Sequence, residues 1–205
     1  NHTHSVHNPW SQFRKPFTID EVLASPPITY PITLPMCAPL SDGAAAAILC
    51  TEEGLKRIGA DKSRCIKISA SVLRSFSPRR IDQPELHVGR LAAQQAYEIA
   101  GLGPQDMHVA EVHDASAMGE IIQAENLGLV ELGMGGPAAE RGEFTIGGRI
   151  PINPSGGLES KGHPIGATGI GQLYELVTQL RGEAGARQVE GARHAIQENG
   201  GGMQG

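Results

Sequence analysis

Sixteen residues, Asn153 to Thr168, constrain this chain more than any other stretch: Asn-Pro-Ser-Gly-Gly-Leu-Glu-Ser-Lys-Gly-His-Pro-Ile-Gly-Ala-Thr. Gly156, Gly157 and Gly162 lack the Cβ that would bar a tight turn or a close approach to a ligand. Pro154 and Pro164 each fix a φ angle and remove an amide donor. Between them stands His163, whose imidazole can take up or release a proton near neutral pH. Gln172 to Leu180 then reads as an amphipathic helix, so the loop presents a histidine at the start of a helix spanning 163–181. Amide N–H groups and the helix dipole favour negative charge at such a place. The arrangement suits chemistry in which a carbonyl oxygen becomes an oxyanion. A tight turn whose histidine is merely hydrogen-bonded is the competing reading of this stretch taken alone.

The rest of the chain reads as short apolar runs alternating with helical patterns. Residues 1–35 are rich in proline and histidine and read as a linker or loop segment, leaving 36–205 as the domain. His2, His4 and His7 are spaced by two and three in an irregular segment without a nearby cysteine or carboxylate, so no metal site is expected. Ala44 to Leu49 reads as a strand before a short helix over 52–58 that stops at Gly59. Cys65 to Leu73 alternates as a strand does. Val88 to Ile99 repeats its apolar residues at spacings of three and four, the signature of a helix, and stops at Gly101-Leu102-Gly103-Pro104. Val109 to Val112 is a short strand ending in His113-Asp114, Met118 to Leu127 a helix, 133–148 a glycine-rich loop, and His194 to Gln197 the start of a last strand. Such alternation predicts an α/β domain, a mixed sheet with helices on both faces. Sites in these domains gather where strands end. His113, His163 and Asn199 all fall at such positions.

Bulk properties exclude several classes. The net charge of -5 argues against a nucleic-acid-binding surface. No apolar run approaches the ~18 residues needed to span a bilayer. Cys37, Cys50 and Cys65 form no CxxC pair, and free thiols in a reducing compartment are expected. With no targeting signal visible, the expected location is the cytoplasm, with the peroxisome as the alternative. The chain closes on a glycine-rich turn, Gly200 to Gly205, and is read as a fragment truncated before a further strand.

The stretch Asn153 to Gly169 resembles the Gly-His-Pro loop of the thiolase superfamily, in the branch containing the sterol-carrier-protein thiolases. Asn1 to Phe13 resembles that branch's linker into its second half, and Ser41-Asp42-Gly43-Ala44 the opening of its C-terminal domain. Glu111-Val112-His113-Asp114 is similar to its strand-end motif, and Gln179 to Val189 to the segment after the Gly-His-Pro helix. These motifs stand in family order over nearly the whole chain, which implies the C-terminal half of such a protein. The resemblance assigns His163 to activating a nucleophilic cysteine and donating to an oxyanion, and His113 to binding the other thioester oxygen. It places Asn199 and Gly201 on the last catalytic loop, with the Gly201 N–H as an oxyanion donor. Ser155, Gly156 and Lys161 become the substrate-binding set for a coenzyme A thioester, which is substrate rather than cofactor. Asp114 is expected to orient loops or cap the following helix. The implied partners are an acyl-CoA, the N-terminal half and a second copy in a homodimer.

Two departures from that pattern matter. The branch carries a second catalytic cysteine directly after His-Asp, where this chain has Ala115, and other thiolases place it on the last loop, where this chain has Asn199. The nucleophilic cysteine belongs to the N-terminal half, and none of the three cysteines here lies in a matching motif. The fragment by itself is therefore expected to be inactive. The expected function is Claisen cleavage or condensation of 3-oxoacyl-CoA by the complete protein. The alternatives are a thiolase-fold retro-aldolase acting on a CoA thioester, or a non-catalytic acyl-CoA- or lipid-binding subunit.

Overall fold

Val109 to Val112 set the architecture, because alternate residues of this one strand are buried by different layers. The computed structural model describes residues 1–77 and 79–201. In chain order the elements are α1 (His2–Ser5), α2 (Ile19–Leu23), the hairpin β1 (Pro27–Thr29) and β2 (Ile32–Thr33), and α3 (Glu52–Ile58). Then come α4 (Val88–Ala100), β3 (Val109–Glu111), α5 (Ala117–Asn126), α6 (Gly135–Glu140), α7 (Thr168–Leu180) and β4 (Ala195–Gln197). Strand β3 pairs in parallel with β4, and Ile152 makes a parallel bridge to Ala110 on its other edge. Ala110 and Val112 pack with Ala93 and Tyr97 of α4 and Ala124 of α5, together with Phe144, Ile150 and Ile152. Val109, on the opposite face, packs against Leu176 of α7 and Val189. The period of two along a strand thus gives each face its own helix layer.

Helices α3, α4 and α5 lie within a residue or two of their sequence-derived bounds, since each has a clear apolar stripe or a glycine stop. Three expectations need correction. The helix read over 163–181 begins only at Thr168, because Pro164 and the residues after it form a turn closed by the Ala167 and Thr168 N–H groups on the Pro164 carbonyl. The loop read over 133–148 contains α6. Residues 44–49 and 65–73, read as strands, have no strand pairing, and Ile48, Leu49 and Leu73 are 89%, 74% and 96% exposed. Alternation alone does not make a strand; the stabilising unit is the cross-strand pair, and neither segment finds a partner here.

Residues 1–13, within the segment read as linker or loop, pack against the glycine-rich loop. The Asn8 side chain donates to the Ser155 carbonyl at 2.8 Å, and the Gln12 and Phe13 amides donate to the Lys161 and Ser160 carbonyls at 3.1 and 3.0 Å. His4 is buried, with Nδ1 3.0 Å from the Asn153 carbonyl, and burial pulls its pKa down to about 4, so the ring is neutral. The start of the chain forms a cradle under the glycine-rich loop.

Candidate functional site

Strand β3 delivers His113 one residue beyond its buried Val112, and the loop ahead of α7 brings His163 to meet it. The two rings lie edge to face with centroids 4.9 Å apart. Together with Asn199, Gly201 and Ala115 they line one cleft of about 630 Å³. Four positions singled out from sequence, His113, His163, Asn199 and Gly201, therefore converge.

Each imidazole is oriented by one neighbour. His163 Nδ1 lies 2.7 Å from the Thr168 hydroxyl, which donates its own proton to the Pro164 carbonyl at 3.1 Å. With that proton committed, Nδ1 is assigned as the donor, and Nε2 keeps a lone pair for an incoming proton. Burial, and then the charge of His113, lowers the His163 pKa, so the ring is held neutral, as a base must be. His113 Nδ1 lies 3.1 Å from the Asn199 side-chain oxygen. In that orientation Nδ1 is the donor; with the Asn199 amide turned over, Nδ1 accepts and the ring proton moves to Nε2. The pair is thus electrically coupled, since charge on His113 discourages charge on His163.

Glu198 was not singled out from sequence, although it directly precedes Asn199. Its carboxylate accepts the His113 amide at 3.0 Å, tying the end of β4 to the end of β3. Burial pushes its pKa up to about 7, against the opposing effect of that hydrogen bond. A carboxyl whose folded pKa lies above its ordinary 4.5 stabilises the fold fully only below 4.5, and this is lost as pH rises through 7. Glu198→Gln removes the ionisation while keeping an acceptor for His113. It is expected to stabilise the protein at pH 8 by on the order of 2 kcal/mol, fading by pH 5, as read from thermal melts across pH.

The three positions read as substrate-binding are not brought to this cleft. Ser155 is fully buried, and its hydroxyl and amide donate to the two carboxylate oxygens of Glu111 at 2.8 and 3.0 Å. Lys161 Nζ donates to the Ser155 hydroxyl at 2.9 Å and pairs with Glu111 at 3.5 Å. Gly156 faces Ser5 of α1. The sequence pattern was informative, but it encodes the support of the loop rather than its reactive face. Asp114 also orients a loop, not α5: its carboxylate accepts the Leu158 and Glu159 amides at 2.8 and 3.3 Å. None of Cys37, Cys50 and Cys65 lines the cleft. Among the described residues no group of three or more His, Cys, Asp or Glu is placed to hold a metal, and no helix is long and apolar enough to cross a membrane.

Fold and cleft together describe an α/β half-domain carrying a paired-imidazole site at its strand ends. The chain belongs to the thiolase C-terminal domain-like family, whose model matches residues 77–205. Its relatives place it in the sterol-carrier-protein branch of the thiolase superfamily. It is 47% identical to sterol carrier protein 2 of Oryctolagus cuniculus, over 97% of this chain and 37% of that protein. Identity is 44% to acetyl-CoA acetyltransferase of Methanothermobacter thermautotrophicus, over 100% of this chain and 54% of the relative. It is 37% to the benzoylsuccinyl-CoA thiolase subunit BbsB of Thauera aromatica, over 93% and 49%. The solved structure of the Ltp2-ChsH2(DUF35) aldolase shares the fold, with a TM-score of 0.75 over 96% of this chain and 52% of that one, at 21% identity. The chain thus spans between 37% and 54% of the length of these curated relatives.

Proposed function

We propose that this chain is the C-terminal half of a thiolase-type acyl-CoA C-acyltransferase that cleaves or forms 3-oxoacyl-CoA. The observation that carries the reading is the His113–His163 pair, 4.9 Å apart in one cleft with Asn199. In the cleavage direction a thiolate supplied by the N-terminal half attacks the 3-oxo carbon, which becomes a tetrahedral alkoxide. The C2–C3 bond then breaks, leaving the acyl group on sulfur and the enolate of acetyl-CoA, which takes up the proton His163 received from the thiol. The thiol of free CoA then takes the acyl group from the enzyme sulfur and passes its own proton back to that sulfur through His163. Neutral His163 Nε2 accepts the proton of the nucleophilic thiol. A His113 ring N–H is the donor to the thioester oxygen that gathers charge in the enolate. The Gly201 N–H is the donor for the acyl-enzyme oxygen. Two relatives named for acetyl-CoA and benzoylsuccinyl-CoA chemistry support a coenzyme A thioester as the substrate.

A second reading, retro-aldol cleavage of a 3-hydroxyacyl-CoA, is favoured by Ala115, which lines the cleft where the branch carries its second thiol. That reaction needs a base for the 3-hydroxyl and stabilisation of the enolate, but no acyl-enzyme. The proposal further includes pairing with the N-terminal half and then with a second copy, which would cover exposed side chains such as Leu40 and Ile81. The test is the full-length polypeptide containing this chain, assayed with acetoacetyl-CoA and longer 3-oxoacyl-CoAs plus free CoA. Thiolysis is expected; its absence, with release of a ketone or aldehyde from 3-hydroxyacyl-CoA, moves the assignment to the lyase.

A further inference from the structure

The cleft extends past the imidazole pair along one face of α5, from Ser116 through Gly119 and Ile122 to Gln123. Gln123 lies seven residues beyond Ser116, so this wall runs roughly 10 Å from the strand-end site. His87, which precedes α4, closes the same cleft beside it. Both side chains are buried, at 8% and 5% exposure, and neither has a part in the reaction described above.

Their hydrogen bonds settle which atoms remain available. His87 Nδ1 accepts the Gly89 amide at 3.0 Å and lies 3.0 Å from Asn126 Nδ2. A backbone N–H can only donate, so the ring proton is on Nε2. Gln123 accepts from the same Asn126 nitrogen through its oxygen, at 3.0 Å, which leaves its NH₂ group. Asn126 thereby fixes both neighbours with their acceptors turned inward and their donors left over. Arg79 adds positive charge close enough to lower the His87 pKa, after burial, which keeps the ring a neutral donor. The Arg79 Nε is itself buried without a partner among the described residues. Ile122 and Ile165 give the same cleft an apolar lining.

We propose that His87 Nε2–H and the Gln123 amide form a subsite for a carboxylate at the far end of the acyl chain, making the preferred substrate a dicarboxylic acyl thioester. This rests on the reading that the cleft holds an acyl-CoA. A plain alkyl chain would leave these two donors without acceptors, whereas a carboxylate satisfies both. Methylene groups between the two ends meet the isoleucines.

The test compares 3-oxooctanedioyl-CoA with 3-oxooctanoyl-CoA, equal in carbon count, on the full-length polypeptide. The wild type is expected to favour the dicarboxylic substrate roughly 10–100-fold in kcat/KM. Gln123→Glu keeps the acceptor for Asn126 but sets carboxylate against carboxylate, and His87→Asn keeps an acceptor for the Gly89 amide but loses the reach of Nε2. Each is expected to bring the ratio of the two kcat/KM values towards one, through KM for the dicarboxylic thioester. A purely structural role for these residues would lower both rates together and leave the ratio intact, which overturns the proposal. The wild-type ratio needs no variant: equal turnover of both thioesters overturns the carboxylate subsite while the acyltransferase reading stands. If neither thioester is bound or cleaved, both fall.

Discussion

Replacing His163 with alanine is expected to lower kcat/KM for thioester cleavage by about 10²–10³-fold or more, the cost of losing one preorganised charge-stabilising group. The effect should appear in kcat, because an imidazole that acts on the thiol and the developing oxyanion binds the transition state more strongly than the ground state. The ring is half-buried at the rim of a loop whose backbone is fixed elsewhere, so the melting temperature should move little. His163→Asn keeps a polar group but no base and should lose nearly as much. Thr168→Val tests orientation separately. It removes the hydroxyl 2.7 Å from Nδ1, frees the ring to adopt either tautomer, and should cost less than the loss of the ring itself. Full activity in His163→Ala, measured with the complete polypeptide, would falsify the catalytic assignment.

Gly156→Ala is expected to destabilise the protein strongly, by roughly 2–6 kcal/mol. Gly156 has φ +101°, where an L-residue carries strain of about 1–3 kcal/mol. An added Cβ would also lie 2.6 Å from Ser5 Cβ and 3.0 Å from Ser5 Cα, an overpacking that adds roughly 1–3 kcal/mol. The contacts are with Ser5 Cβ, Cα and N of α1, none of which moves when a side chain turns, so rotation cannot relieve them. Urea denaturation should show the midpoint falling with little change in slope. A glycine that simply approached substrate would behave oppositely, raising KM with the midpoint unmoved.

Much of the site could be read from the sequence, for a reason specific to its residue types. The Gly-His-Pro stretch and the His-Asp strand end each combine backbone punctuation with an imidazole, and such punctuation is local. The convergence of His113 and His163 followed from placing both at strand or helix ends of an α/β layer. The supporting cluster could not be read in the same way. Whether Ser155 and Lys161 face a substrate or a buried Glu111 depends on a contact spanning 44 residues, which no local pattern carries. Glu198 hid behind its neighbour Asn199, and His87 and Gln123 acquire their meaning only once Asn126 joins α4 to α5. The strand signals over 44–49 and 65–73 failed for a related reason. Alternation states which side chains want cover, and the cover itself has to come from other chain segments.

The cradle formed by residues 1–13 sets the order in which the loop can fold. Asn8 is joined to Ser155 across 147 positions of sequence, so the bend bearing His163 is clamped only when the two ends of that span meet. Closing so wide a ring is slow compared with forming α4 or α5, which need only neighbours. The bend that bears His163 is therefore expected to be clamped only after α4 and α5 have formed.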